Sequence, residues 1–380
     1  MTDNKTVFEF LESKTLFYDK IDYDVIDKSY EILSSHIKLP YVIHLIGTNG
    51  KGTTGRFLAS FLTQLDKTVV HYSSPHIIDF NERIWINGSN STNKELNYAH
   101  KKLQQILPAN YLEQLTYFEY TTLLAFVLSS EKDYIVLEAG LGGEFDATNV
   151  VTNDLTLLTT VDLDHQSFLG DTVEEITATK LRSCNNNLII GHQINKEVYR
   201  VIEEQFKNLK SILKIEEFHI DTAKYKDQLP QYLINNLKLS FSALKFLGFE
   251  ADNFQLPKLE GRFHKLQENI ILDVGHNRLA ANEICKQLGK KEKKSILVYN
   301  SYKDKNYKEI LTILMPVIKE VHIIKCDDER IVDRKDLEKV MDILGIEYKN
   351  FNMDKIDKDE EYLVFGSFSV VESFLKQFRA

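Results

Sequence analysis

Short apolar runs punctuate this chain at fairly regular intervals, and the longer segments between them carry apolar residues every three or four positions. Val42 to Ile46, Thr68 to Tyr72, Tyr134 to Leu137, Leu155 to Val161 and Asn187 to Gly191 read as buried strands of a parallel sheet. The spacing of Phe57, Leu58, Phe61, Leu62 and Leu65 predicts a helix opening at Thr53 and Thr54, and Phe118 to Leu128 predicts a second, apolar helix. Positions 89–112 are polar and read as helix with a loop on each side. Residues 5–37 read as helical pieces around a polar link, with Phe8, Leu11, Leu16, Ile21, Ile26 and Ile32 as core positions. Strands alternating with helices in this way predict an α/β fold with a doubly wound parallel sheet.

The alternation lapses between Ala251 and Lys258, a polar stretch carrying Pro257, and then restarts. Ile270 to Val274, Ser295 to Tyr299, Val321 to Lys325 and Tyr362 to Phe365 predict a second set of strands. The expected organisation is a P-loop-type doubly wound domain over 1–255, a linker over 256–267, and a smaller Rossmann-like α/β domain over 268–380. The lysines between 290 and 294 read as a solvated loop.

Charge narrows the partners. Lys and Arg number 47 against 56 Asp and Glu, a net charge of −9 with pI near 5.7, and no basic run stands out. A nucleic-acid partner is therefore not expected, and a polyanionic small molecule would need a local cluster of positive groups. Cys184, Cys285 and Cys326 are far apart and form no CxxC pair, which argues for a reducing compartment and against a disulfide framework or a zinc site. The opening MTDNKTVFEFLESK is charged throughout, unlike a signal peptide, and no stretch reaches the ~18 apolar residues of a membrane span. The expectation is a cytoplasmic monomer without a membrane partner.

Candidate chemistry collects where the predicted strands end, the edge at which open α/β sheets bind ligands. Gly47 to Thr54, reading GTNGKGTT, turns from the first strand into the helix. Glycines let the backbone approach an anion, the helix N-terminus adds partial positive charge, and Lys51 adds a full one. The loop departs from a strict Walker A motif because Gly52 separates Lys51 from Thr53. It reads as a nucleotide-phosphate site. Ser73 to His76, Glu138 to Asn149 and Asp162 to His165 follow other strands. Ser74, Glu138 and His165 supply donors of the kind magnesium takes beside phosphates, although each alone also fits a turn, a strand end or a loop. In the second domain Asp273, His276 and Asn277 follow a strand, and Arg262 is a planar cation able to fork onto phosphate. Asn236 lies on a helix as a cap or a ligand-facing residue. Together these suggest a cleft closing on a nucleotide. Lys180, in EEITATKLRS, reads from its helix alone as a solvated lysine.

These segments together resemble the folate branch of the Mur ligase superfamily, the bacterial dihydrofolate synthases/folylpolyglutamate synthases. SKT at 13–15, GTNGKGTT at 47–54, YSSPHIIDFNERIWING at 72–88 and TYFEYTTL at 116–123 match in order. VLEAGLGGEFDATNVV at 136–151, TTVDLDHQSFLGDTVEEI at 159–176, GRF at 261–263, LDVGHN at 272–277 and LVFGSF at 363–368 complete the series. The resemblance implies ATP-driven joining of L-glutamate to dihydropteroate or a reduced folate through an acyl phosphate. It implies that Gly50, Lys51, Gly52, Thr53 and Thr54 hold the ATP phosphates, with Asn236, Arg262 and Asp273 also on ATP. Ser74, Glu138 and His165 would ligate one or two magnesium ions, and Lys180 would carry a carbamate; Lys51, Lys180 and His165 would be catalytic. Thr116, Tyr117, Phe118, Glu119, Phe145, Asp146 and Ala147 would line the pterin pocket, with Lys14 and Thr15. His276 and Ser367 are glutamate candidates from their strand-end positions, and capping residues on the same ground.

Three places depart from the family pattern: Glu144-Phe145 stands where Arg-Leu is usual, 179–187 reads TKLRSCNNN, and Asp273 to Arg278 reads DVGHNR. The first two leave open a nucleotide-binding regulator without turnover; a Mur-type ligase acting on a UDP-sugar peptide is the other alternative, and the pterin-pocket segments argue against it.

Overall fold

A computed structural model describes residues 5–14, 23–251 and 253–379. The strands are β1 (Tyr41–Ile46), β2 (Val69–Tyr72), β3 (Ile84–Ile86), β4 (Ser89–Asn90), β5 (Tyr134–Glu138), β6 (Leu155–Leu158), β7 (Asn187–Ile190) and β8 (Ser211–Lys214) in a first sheet. A second sheet holds β9 (His264–Gln267), β10 (Ile270–Asp273), β11 (Ser295–Tyr299), β12 (Ile318–Ile323), β13 (Tyr348–Asn350) and β14 (Tyr362–Phe365). The first runs β4-β3-β2-β5-β1-β6-β7-β8 and is parallel from β2 to β8, with β3 and β4 added antiparallel. The second runs β13-β12-β11-β14-β10-β9 and is parallel except for β9.

Residues Met1–Thr222 with Asn235–Pro257 form one compact unit, and Ala223–Ile234 with Lys258–Ala380 form another. The helix Gln231–Phe246 therefore starts in the second unit and ends in the first. The stretch expected as linker contains β9, which pairs with β10.

In the first unit β1 is central, and the chain steps over it between β5 and β6. That reversal opens a crevice at the carboxyl ends of β5, β1 and β6. The central strands are buried on both faces: Ile43, Leu45, Ile46, Ile135, Val136, Leu137, Leu157 and Leu158 are all fully buried. Phe57, Leu58, Phe61 and Leu62 of the helix Lys51–Gln64 are covered too, and Phe61 stacks on Phe241 and Phe254 at 5.2 and 4.7 Å. The helix Tyr117–Ser129 buries Leu123, Leu124 and Phe126 completely, each side chain contributing about 1.5–3 kcal/mol.

The strands missed by apolar pattern are short or polar and sit at sheet edges or next to one. β3 has three residues, β8 is half-exposed, and β9 and β13 read HKLQ and YKN. The predicted strand at 321–325 is centred on Ile318–Ile323 instead, since Lys319 and Glu320 interrupt its apolar run. Over 89–112 there are two helices, Asn93–Ile106 and Ala109–Gln114, separated at Pro108, which stands just before the second. Thr15, Leu16 and Ile21 lie outside the described residues. Among the described residues no helix is long and apolar enough to cross a membrane.

Candidate active site

The loop expected to hold phosphate is built from two glycines at positive φ. Gly47 has φ +139° against the Thr159 hydroxyl, and Gly50 has φ +96°, which turns the chain into the helix Lys51–Gln64. The loop is anchored to the end of β6. The amides of Thr48 and Asn49 donate to Thr160 O at 2.9 and 3.3 Å, and the Thr48 hydroxyl donates to Asp162 O at 2.9 Å. The N-cap residue is Gly50, which makes no side-chain cap bond, so the first-turn amides lack the usual cap from that position. Lys51 Nζ folds back onto Gly47 O and Thr48 O at 3.1 and 3.4 Å. Asn236 is packed against the loop, because a methyl group on Gly50 would stand 2.5 Å from its Oδ1. Thr53 and Thr54 are buried, and the Thr54 carbonyl accepts from Ser240 Oγ at 2.9 Å.

Beside this loop β5 ends in Glu138, 7% exposed, whose Oε2 accepts from Ser74 N at 3.2 Å. The same oxygen would lie 3.0 Å from a methyl on Gly52, so the carboxylate packs against the first turn of the phosphate-loop helix. His165 follows β6 in a left-handed conformation (φ +49°), its amide on Asp164 Oδ1 at 3.0 Å and its ring part-exposed. Ser74 and Glu138 are thus in contact, whereas His165 reaches the same edge on a separate loop. Hydroxyl, carboxylate and imidazole donors suit a hard divalent ion. Among the described residues no group of three or more His, Cys, Asp and Glu could hold a metal. An ion here would complete its shell with phosphate oxygens and water, as magnesium does.

Lys180 is not solvated: it is 3% exposed, at the end of the helix Val173–Leu181. Burial pushes its ammonium down to about 7, Lys51 pushes the same way, and Asp164 and Asp146 pull back. The helix register that hid this lysine in the sequence is set by the 140–146 loop. Glu144 N donates to Thr179 O at 3.1 Å, and Gly143 lies against Lys180 O with no room for a side chain. Asp146 is buried and holds the loop, accepting from Leu141 N at 2.8 Å and Thr148 Oγ1 at 2.6 Å. Burial raises its carboxyl above the ordinary range despite those donors. Ala147 is buried, Phe145 is 60% exposed, and Glu144 pairs with Arg182 at 2.5 Å.

Thr116 and Glu119 cap the helix Tyr117–Ser129 reciprocally: Thr116 N donates to Glu119 Oε2 at 2.8 Å, and Glu119 N donates to Thr116 Oγ1 at 3.2 Å. Phe118 fills the space over Gly140 and lies 5.8 Å from the Tyr72 ring. Tyr117 faces the guanidinium of Arg83 at 5.3 Å. Lys14 donates to Leu112 O and Glu113 O, and burial pushes its ammonium down to about 8. That lysine ties the first helix to the end of Ala109–Gln114.

In the second unit Asp273, at the end of β10, is buried and accepts three hydrogen bonds. They come from Tyr232 Oη at 2.9 Å, Phe263 N at 2.8 Å and Gly275 N at 2.8 Å. Burial raises its carboxyl, with Arg262 pulling back. Arg262 lies 5.0 Å from the Phe368 ring centre. His276 Nδ1 meets Val274 O at 3.0 Å, and Ser367 Oγ accepts from Val370 N at 3.2 Å, in the manner of a helix cap. Tyr232 carried no sequence signal, standing 41 residues from the aspartate it serves.

No family model matches the chain. A dihydrofolate synthase/folylpolyglutamate synthase of Haemophilus influenzae is 30% identical over 393 residues, covering 88% of each chain. The chain belongs to the dihydrofolate synthase/folylpolyglutamate synthase family. The crystal structure of Helicobacter pylori folylpolyglutamate synthetase is 33% identical, with TM-score 0.77 over 100% of both chains. A bifunctional folylpolyglutamate synthase/dihydrofolate synthase with Mn, AMPPNP and L-glutamate bound shares the fold, with TM-score 0.83 over 100% of both chains at 23% identity. Within this family the α/β architecture, with two parallel-dominated sheets, is the shared frame.

Proposed function

We propose that this chain is an ATP-dependent ligase that joins L-glutamate to 7,8-dihydropteroate and extends reduced folates by further glutamate. The observation that carries it is the shared strand edge. A glycine phosphate loop with Lys51, the Ser74–Glu138 contact and a buried Lys180 within the field of Lys51 meet in one unit. Family membership supports the acceptor class. A free carboxylate repels an amine and has a poor leaving group, so activation as an acyl phosphate is chemically required before the glutamate amine can attack.

In this assignment the amides of the Gly50–Thr54 turn and the Lys51 ammonium hold the ATP phosphates and neutralise charge on the transferring group. Ser74, Glu138 and His165 would hold magnesium, which when bound supplies positive charge at those phosphates. To ATP we also assign Asn236, Arg262 and Asp273. To the pterin side we assign Thr116 to Glu119 and Phe145 to Ala147, with Lys14 and Thr15, and to glutamate His276 and Ser367. Lys180 is assigned a carbamate. An amine near half-neutral at pH 7 can add its lone pair to carbon dioxide and release one proton, and the resulting anion would attract Lys51 instead of repelling it. The domain assignment is an ATP-binding 1–255 and a C-terminal 268–380, and the protein is taken as a cytoplasmic monomer, which its unpaired cysteines suit.

Incubation with ATP, magnesium, dihydropteroate and glutamate should release ADP only when all four are present. ADP release with a UDP-sugar peptide in place of every pteroate or folate would move the chain to another acceptor class. Tight ATP binding with no ADP under any acceptor would make it a regulator.

A further inference from the structure

Arg83 is a cation to which the ligase assignment gives no task. Its backbone is firmly held: its carbonyl accepts from Ser73 N at 2.9 Å. The preceding turn is clamped by Glu82, which accepts from the amides of Ile77, Ile78 and Asp79 at 2.7, 3.0 and 2.9 Å. Two neighbours aim the half-buried side chain. Arg83 Nε donates to His76 Nδ1 at 2.8 Å, which leaves that ring's proton on Nε2, and Tyr117 covers one guanidinium face at 5.3 Å.

These contacts use one of the five N–H donors and one face. Among the described residues no carboxylate pairs with Arg83. The position is specific. Ser73 precedes Ser74, whose amide is on Glu138, and Tyr117 precedes Phe118, which lies over Gly140. The Arg83 charge also reaches the buried Tyr72 and the half-buried Tyr117 hydroxyls, holding back the rise that burial causes. Arg83 therefore holds Ser73, next to the assigned metal ligand Ser74, through its backbone, and sets a preorganised guanidinium against Tyr117 of the assigned pterin segment.

We propose that Arg83 anchors the carboxylate of the pteroate acceptor and selects acids over their neutral analogues, a role that rests on the ligase assignment above. Carboxylate and ATP are both anions, so the acceptor needs a fixed counter-charge to approach the γ-phosphorus. One carboxylate oxygen forms the new O–P bond with its lone pair, and the bond from phosphorus to the ADP oxygen breaks, its electron pair leaving with ADP. The other oxygen keeps the guanidinium, and carries negative charge again when the glutamate amine adds to the carbonyl carbon.

The test is binding of pteroate and of pteroate carboxamide, each with a non-hydrolysable ATP analogue. Wild type should prefer the acid by about ten- to a hundredfold, the range for a hydrogen bond to a charged group. Arg83→Gln should lose that preference while its affinities for the carboxamide and the nucleotide stay unchanged. A variant that keeps the wild-type acid-to-amide ratio overturns the proposal. If wild type binds neither compound, the pteroate assignment itself fails, which is a separate result. If Arg83→Gln loses nucleotide binding as well, the wild-type protein carries the test through phenylglyoxal labelling read by mass spectrometry. Pteroate should protect Arg83 and the carboxamide should not, and equal labelling with both overturns the proposal.

Discussion

Gly50 closes the phosphate loop at φ +96°, and its replacement by alanine tests both the backbone and its neighbour. The left-handed conformation disfavours a side chain by about 1–2 kcal/mol. The added methyl would also stand 2.5 Å from Asn236 Oδ1, and Asn236 is only 8% exposed. Forcing that amide off its rotamer adds about 0.5–1.5 kcal/mol. Gly248→Ala is the control, since Gly248 has φ +86° and nothing within 4 Å of an added methyl. Both glycines lie in the first unit, and so does Trp85, the only tryptophan, 7% exposed on β3. Urea unfolding followed by Trp85 fluorescence should place Gly248→Ala about 1–2 kcal/mol below wild type and Gly50→Ala about 2–3 kcal/mol below. The KM for ATP should rise in Gly50→Ala alone. Equal stabilities for the two variants would refute the Asn236 contact, and an unchanged KM in Gly50→Ala would refute the loop's role in holding phosphate.

Lys51→Ala should lower kcat by about 10²–10³-fold through lost charge at the transferring phosphate, with the Trp85 unfolding midpoint unchanged; near-normal turnover would mean that the loop has another purpose. For Lys180, burial and Lys51 take the ammonium from its ordinary 10.5 to about 7. Between those values the unfolded chain binds one proton more than the native chain. Stability from this group is complete above pH 10.5 and is lost as pH falls from there to about 7, at about 1.4 kcal/mol per pH unit. In carbon dioxide-free buffer Lys180→Met should flatten that slope, and parallel stability curves for the two proteins would count against it. Carbon-13 NMR of wild type under labelled carbon dioxide should show a carbamate signal that Lys180→Met lacks. His71 is buried with neither ring nitrogen hydrogen-bonded, wedged against Gly55; His71→Leu should stabilise the first unit by about 1–3 kcal/mol, and a lower Trp85 unfolding midpoint would refute that cost.

Much of the site could be read from residue order. A strand running into glycines and a lysine can do few things, and GTNGKGTT reads as the phosphate-holding one. Asp146 and Glu138 stood in the quoted segments because strand ends in parallel sheets gather polar residues. Lys180 was different: nothing in EEITATKLRS separates a buried lysine from a solvated one. Only the packing of the 140–146 loop against that helix, with Gly143 on the Lys180 carbonyl, puts its ammonium out of water. The edge strands β8, β9 and β13 escaped notice because an edge needs little apolar surface, so their residues look like loop, and β3 because it has only three residues.

What the sequence alone determined is the fold class and the chemistry on offer. Apolar periodicity specifies which segments must be buried, and glycine, lysine and carboxylate types at strand ends offer the chemistry of a phosphate site. Tertiary structure decided which protein partners each polar group meets. Thr116 and Glu119 cap one helix together, Lys14 reaches two carbonyls, and Asp273 meets Tyr232 from a distant helix. Arg83 keeps its charge unmatched by any described carboxylate. Hydrogen bonding is short-ranged and directional, so these allocations depend on which side chains folding brings within about 3 Å of each other, and residue order does not specify that distance.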